Sequence, residues 1–218
     1  MPHRNIWTVD PYVYKASSTG LKVFDLASEA LVNSITVSGG VNSVWANSSY
    51  VYIATTNSGV YYCTTAAAAV SGTTFTPYKT YPNITNNEVN YLHGKGNYLC
   101  VSTASGVDRY RLSDGDRAYE SAASPEKCFQ TSNGDYYYYI NSSPAELHAV
   151  YSGSGYVYEA SEGNVVGEVI FNDIYVTENT STYGGNVLFL ATSSGGYVVE
   201  EKRGDESNCR KRIYYLDR

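Results

Sequence analysis

The chain has 218 residues, a length that suits one compact unit. Only 17% of them are charged and the formal net charge is −6, which excludes the clustered Lys and Arg of a broad nucleic-acid or anionic-membrane footprint. Hydrophobic residues reach 43% and Tyr alone occurs 24 times, so a disordered chain is excluded, and no apolar run approaches the ~20 residues of a membrane span.

Residues 1–7 lack the apolar stretch of a secretory leader, so the expected location is a cytoplasm, or a virus particle released by lysis. A short apolar strand is predicted at 5–9, followed by an Asp10-Pro11 turn. Residues 12–24 then read as two strands of period two around Ser17-Ser18-Thr19-Gly20, with another strand at 31–37. The pattern repeats. Strands are predicted at 41–46, in a hairpin over 50–62 turning at Gly59, and at 75–81. The third copy has 89–93, a hairpin over 98–110 turning at Gly106, and 117–122. The fourth has 126–131, a hairpin over 138–150 around Pro144-Ala145, and 155–160. The fifth has 169–177, a hairpin over 187–199 turning at Gly195, and 212–217. Residues 28–31 and 66–69 are only long enough for a turn of helix.

The turn positions 20, 59, 106, 145 and 195 are spaced by 39, 47, 39 and 50 residues, about one propeller blade each. A four-stranded sheet cannot bury both faces alone, so copies of it stack around an axis. The expected fold is all-β: a single-domain, five-bladed β-propeller over 1–218, four antiparallel strands per blade. The blades lie at about 1–38, 39–86, 87–123, 124–165 and 166–218. Its first and last blades meet through packing alone. A β-sandwich with coincidental spacing is the alternative. The repeats resemble two-component-regulator propeller repeats. The matching residues are Tyr52-Ile53-Ala54-Thr55 with Gly59-Val60, Val101-Ser102-Thr103 with Gly106-Val107 and Tyr110, and Leu190-Ala191-Thr192 with Gly195.

Aligning the copies on Tyr12, Tyr50 and Tyr98 superposes Trp7, Trp45 and His93, and places Asn42 beside Asn90 with Asn5 and Asp173 nearby. Asn5, Asn42, Trp45, Asn90 and Asp173 are therefore the candidate ligand-binding set at the mouth of the central channel. The plainer account is that these amides cap strand ends and satisfy backbone groups. Hydroxyl-rich hairpin loops beside many Tyr rings suit sugars, and equally suit turns. The expected architecture is also similar to that of the five-bladed lectins, which implies a carbohydrate ligand.

No catalytic, metal or cofactor set emerges. His3, His93 and His148 have no ligand spacing, and Cys63, Cys100, Cys128 and Cys209 contain no C-x-x-C, so buried reduced thiols are expected. Of the carboxylates Asp10, Asp108, Glu126 and Asp173, only Asp173 falls near the expected channel mouth, short of a glycosidase pair. Nucleophile-elbow, P-loop and dinucleotide motifs are missing. Arg203-Gly204-Asp205 reads as a charged hairpin tip. The expected function is a non-enzymatic structural or interaction module, assembled with copies of itself or other subunits. Its low Lys content, single Met and acidic balance resemble bacteriophage tail and capsid accessory proteins. A host-attachment lectin binding glycan and a glycoside-active enzyme using the channel are the alternatives.

Overall fold

The computed structural model describes residues 5–56, 59–78, 89–103, 106–113, 117–121, 127–130, 136–142, 145–151, 171–177, 187–192, 195–202 and 210–216. Most of them lie in antiparallel strands, and these fall into two compact units. One comprises Met1–Gly94 with Leu99–Ser124, the other Lys95–Tyr98 with Pro125–Arg218.

In the first unit, β1 (Ile6–Val9), β2 (Tyr12–Ser17), β3 (Gly20–Asp25) and β4 (Leu31–Thr36) form one sheet in chain order. Period-two patterning orients it: Tyr14 and Ala16 are buried while Lys15 between them is exposed. The β2–β3 turn is closed by the Ser17 hydroxyl, which donates to the Gly20 carbonyl at 2.8 Å. Gly20 has φ +144°, and a Cβ there would collide with the Ile35 carbonyl oxygen. Asp25 closes the next turn by accepting from the Ser28 amide and hydroxyl, both at 2.7 Å. The hydroxyl bond first, and the amide bond second, hold its carboxyl below the usual range.

The second sheet runs β5 (Val41–Ala46), β6 (Tyr50–Thr55), β7 (Gly59–Thr64), then a two-residue β8 (Thr76–Pro77). Of the outer strand expected at 75–81, β8 pairs with β7 and residues 79–81 lie outside the described residues; a helical turn, α1 (Thr65–Ala68), precedes it. The Thr64 hydroxyl accepts from the Ala67 amide and caps that turn. The third sheet is ordered β12 (Arg117–Ser121), β11 (Gly106–Arg111), β10 (Tyr98–Thr103), β9 (Val89–Lys95). Hairpins two and three close like the first, with Thr55 donating to the Gly59 carbonyl at 3.0 Å and Thr103 to that of Gly106 at 3.2 Å.

Two apolar layers hold these sheets face to face. Tyr14, Leu21 and Val23 meet Val44, Val51 and Ile53 between the first and second sheets. Trp45, Tyr52 and Ala54 meet Leu92, Leu99 and Val101 between the second and third. Alternation along β6 thus sends Val51 and Ile53 one way and Tyr52 and Ala54 the other. The strands β5 and β6 are buried on both faces.

In the second unit, β13 (Lys127–Gln130), β14 (Tyr136–Ser142) and β15 (Ala145–Tyr151) form a three-stranded sheet. Another sheet has β16 (Phe171–Thr177), β17 (Val187–Thr192), β18 (Gly195–Lys202) and β19 (Arg210–Leu216) in chain order. The strand expected at 155–160 and the Arg203-Gly204-Asp205 tip lie outside the described residues.

Candidate functional site

The residues singled out for the expected channel mouth lie on or beside the first strands of their sheets, and in the first unit their geometry is defined. Asn5 faces the backbone of β5. Its Nδ2 donates to the Val44 carbonyl at 2.9 Å, and its Oδ1 accepts from the Val44 amide at 2.7 Å. Two residues on, Trp7 Nε1 donates to the Ala46 carbonyl at 2.9 Å. The arrangement recurs between β5 and β9. Asn42, 2% exposed, donates through Nδ2 to the Val89 carbonyl at 3.0 Å and accepts from Thr56 at 3.1 Å. The Ser43 hydroxyl accepts from the Leu92 amide at 3.1 Å. These side chains act as clamps, each joining one sheet to the backbone of the next.

The rings at the superposed positions do meet. Trp7 lies 6.4 Å from Trp45 and 5.6 Å, edge-on, from His93. Trp45 is buried, tilted against Tyr52 at 5.5 Å, and Tyr52 continues into Tyr62 and Tyr78 at 6.0 and 5.2 Å. Gly94 lies directly under the Trp45 indole, where a Cβ would collide with the ring. Asn90 is half-buried on β9. Asp173 lies on β16 opposite Ala191, in the second unit.

A bulge corrects the alignment at that strand. Ladder pairing steps from Val41 to Ser43 in β5 and from Phe171 to Asp173 in β16, leaving Asn42 and Asn172 as the extra residues. The equivalent of Asn42 is therefore Asn172, and Asp173 corresponds to Ser43. The signal was present as Val41-Asn42-Ser43 against Phe171-Asn172-Asp173, but counting from the hairpin missed it because the fifth copy has a longer preceding turn.

Asp108 is buried on β11, accepting from the Tyr110 hydroxyl at 2.8 Å, and Asp10 is exposed in the first turn. Cys63, Cys100 and Cys128 are buried, and burial pushes the Cys63 thiol up to about 11. Among the described residues no three His, Cys, Asp or Glu side chains converge on a metal-sized site. No helix among them is long and apolar enough to cross a membrane.

Removing the Asn5 clamp by Asn5→Ala strands the Val44 amide and carbonyl at the sheet boundary. A loss of about 1–3 kcal/mol is expected, read as a lower urea midpoint with an unchanged slope. An unshifted midpoint would show that this clamp contributes nothing.

No protein family and no curated protein matches the chain by sequence. Solved structures do. The WD40 β-propeller domain of Doa1 superposes with a TM-score of 0.69 at 12% identity, over 99% of this chain and 69% of that one. Hydrazine synthase of Kuenenia stuttgartiensis gives 0.66 at 10% identity, over 96% and 68%. Hsv2 of Kluyveromyces lactis gives 0.61 at 10% identity, over 98% and 72%. At such identities the likeness concerns the fold alone: an all-β chain of mostly four-stranded antiparallel sheets, built like the sheets of β-propellers.

Proposed function

We propose that the chain is a non-enzymatic protein-interaction module of propeller-type sheets, working as a subunit of a larger assembly. The observation that carries this reading is the face of the first sheet turned away from the second. Ladder pairing lines up Val13, Phe24 and Leu31 in one row there, and Ile6, Lys15 and Lys22 in the next. Ile6 is 58% exposed and Leu31 55%, whereas β6 and β10 are buried almost end to end. Lys15 and Lys22 stand directly opposite one another, an unfavourable like-charge pair that a carboxylate from outside relieves.

A partner offering carboxylates among apolar side chains fits this face. With a net charge of −6, a second copy of the chain qualifies. A virus particle such as a phage tail or capsid is an assembly that suits the composition. The inner amides of the first unit support the non-enzymatic reading, because Asn5 and Asn42 are engaged with backbone.

Light scattering on the full chain tests the proposal. A mass above the monomer is expected, returning to monomer in the Ile6→Asp, Leu31→Asp double variant with an unchanged melting temperature. A strict monomer at every concentration would sink self-assembly. A monomer whose double variant melts lower would mean that this face serves the fold and not assembly.

A further inference from the structure

We infer that a cleft between the first and second sheets binds a single neutral sugar ring. The cleft, open to solvent on one side, has a volume of about 280 Å³. Its walls are Ile35 from β4, Val37 just past its end, Tyr61 from β7, and Phe75 from the segment after α1. Ile35 is buried and the other three are half-buried, packed at the edge of the first apolar layer. Around the opening stand the exposed side chains of Thr36, Ser38 and Thr74.

That lining selects a chemistry. No charged side chain contributes, so phosphates, carboxylates and amines have no counter-charge. Two aromatic rings with aliphatic neighbours suit a ligand with an apolar face. Three hydroxyls at the rim suit one that also carries donors and acceptors around its edge. A purely apolar ligand would leave those exposed hydroxyls to water and gain nothing from them. A pyranose has both features, with C–H groups on its faces and hydroxyls on its perimeter. The volume falls near the lower limit of small-molecule sites, about 300 Å³, and so suits one ring rather than an oligosaccharide.

The cleft is also held in shape. Asn33, on β4, donates to the Ala68 and Val70 carbonyls, both at 2.9 Å, tying the first sheet to the chain beyond α1. The Thr73 hydroxyl shares its one proton between the same Val70 carbonyl, at 2.9 Å, and that of Ala67, fixing the segment that presents Phe75. Walls from two sheets are thus braced to each other independently of a ligand, which lowers the ordering cost of binding. The site is separate from the outward face of the first sheet, so it stands whether or not the chain assembles.

The test uses the full chain with labelled Ile and Val methyl groups, titrated with methyl β-D-glucopyranoside, methyl β-D-galactopyranoside and methyl α-D-mannopyranoside, and with cyclohexanol as an apolar control. At least one pyranoside is expected to shift the Ile35 and Val37 methyl resonances with a Kd of order millimolar. Tyr61→Ala is expected to weaken it about tenfold or more. Thr36→Val, which keeps the shape and removes one hydroxyl, is expected to weaken it several-fold with an unchanged melting temperature. Should Tyr61→Ala fail to fold, Thr36→Val and Ser38→Ala carry the comparison. The proposal is overturned if none of the three sugars shifts these methyls, if cyclohexanol alone does, or if the shifts persist undiminished in the folded variants.

Discussion

Trp45→Ala is expected to lower the unfolding free energy by about 3–5 kcal/mol, the usual range for emptying a large aromatic site in a packed interior. The indole is 4% exposed, lies across Gly94 and leans on Tyr52, and forms part of the layer joining the second and third sheets. Truncation removes one wall of that layer and leaves Gly94 with nothing above it. Gly94→Ala attacks the same contact from the other side, since its Cβ meets the indole, and a loss of about 1–3 kcal/mol is expected. Combined, the two changes should be less damaging than the sum of the singles, because the alanine methyl then enters space that the indole has vacated. Urea denaturation of the three variants checks this. Strict additivity would show that the indole and Gly94 do not share the contact. If Trp45 instead served a ligand at the channel mouth, Trp45→Ala would keep its midpoint and lose binding.

Stability is expected to fall steeply between pH 9 and pH 11. The Cys63 thiol is raised from the usual 9 to about 11 by burial. Burial also lifts the Tyr14 and Tyr52 phenols well above their usual 10, with neighbouring Cys63 and Tyr12 adding to the first and Tyr78, Tyr50 and Tyr62 to the second. All three groups are neutral when protonated, so raised values mean that the folded state retains protons that the unfolded chain has already released. Their stabilisation is complete below the unfolded values and declines as pH rises beyond them. Each group whose folded and unfolded protonation differ contributes about 1.4 kcal/mol per pH unit. The combined loss by pH 11 is therefore several kcal/mol on that scale.

Denaturation midpoints across the interval test this prediction. Tyr14→Phe sharpens the test. The Tyr14 hydroxyl is fully buried with no hydrogen-bond partner, so its removal should raise stability at neutral pH by about 1 kcal/mol and flatten the alkaline slope. A wild-type profile level from pH 9 to pH 11 would contradict the assignment.

The hairpins were legible in the amino-acid order because each carries its own reason to form. Tyr14 and Ala16 alternate with Lys15, and a hydroxyl residue precedes each turn Gly at Ser17/Gly20, Thr55/Gly59 and Thr103/Gly106. The juxtaposition of Trp7, Trp45 and His93 was legible for the same reason, since equal offsets from equivalent strands become neighbours when copies stack. Less of the clamp could be read. Ser43 carries no marker beyond being a serine. The bulges at Asn42 and Asn172 leave no trace in a single strand's pattern, and only the likeness of residues 41–43 to 171–173 marks them before the opposing strands are known. The cleft was invisible, as its walls come from residues 35–38, at and just past the end of β4, and from Tyr61 and Phe75 far along the chain.

Local order, then, was decided along the chain: alternation and turn chemistry act over two to six residues, and they produce strands and hairpins whatever lies beyond. What the neighbouring sheets decided was the use of each polar side chain. The amide of Asn5 reads as a ligand contact or a strand cap until the Val44 backbone is placed beside it, within hydrogen-bond reach of both its atoms. Hydrogen bonds and ring contacts depend on distances of a few ångströms between residues nearly forty positions apart in the chain, and only the packing of one sheet on the next brings those atoms together.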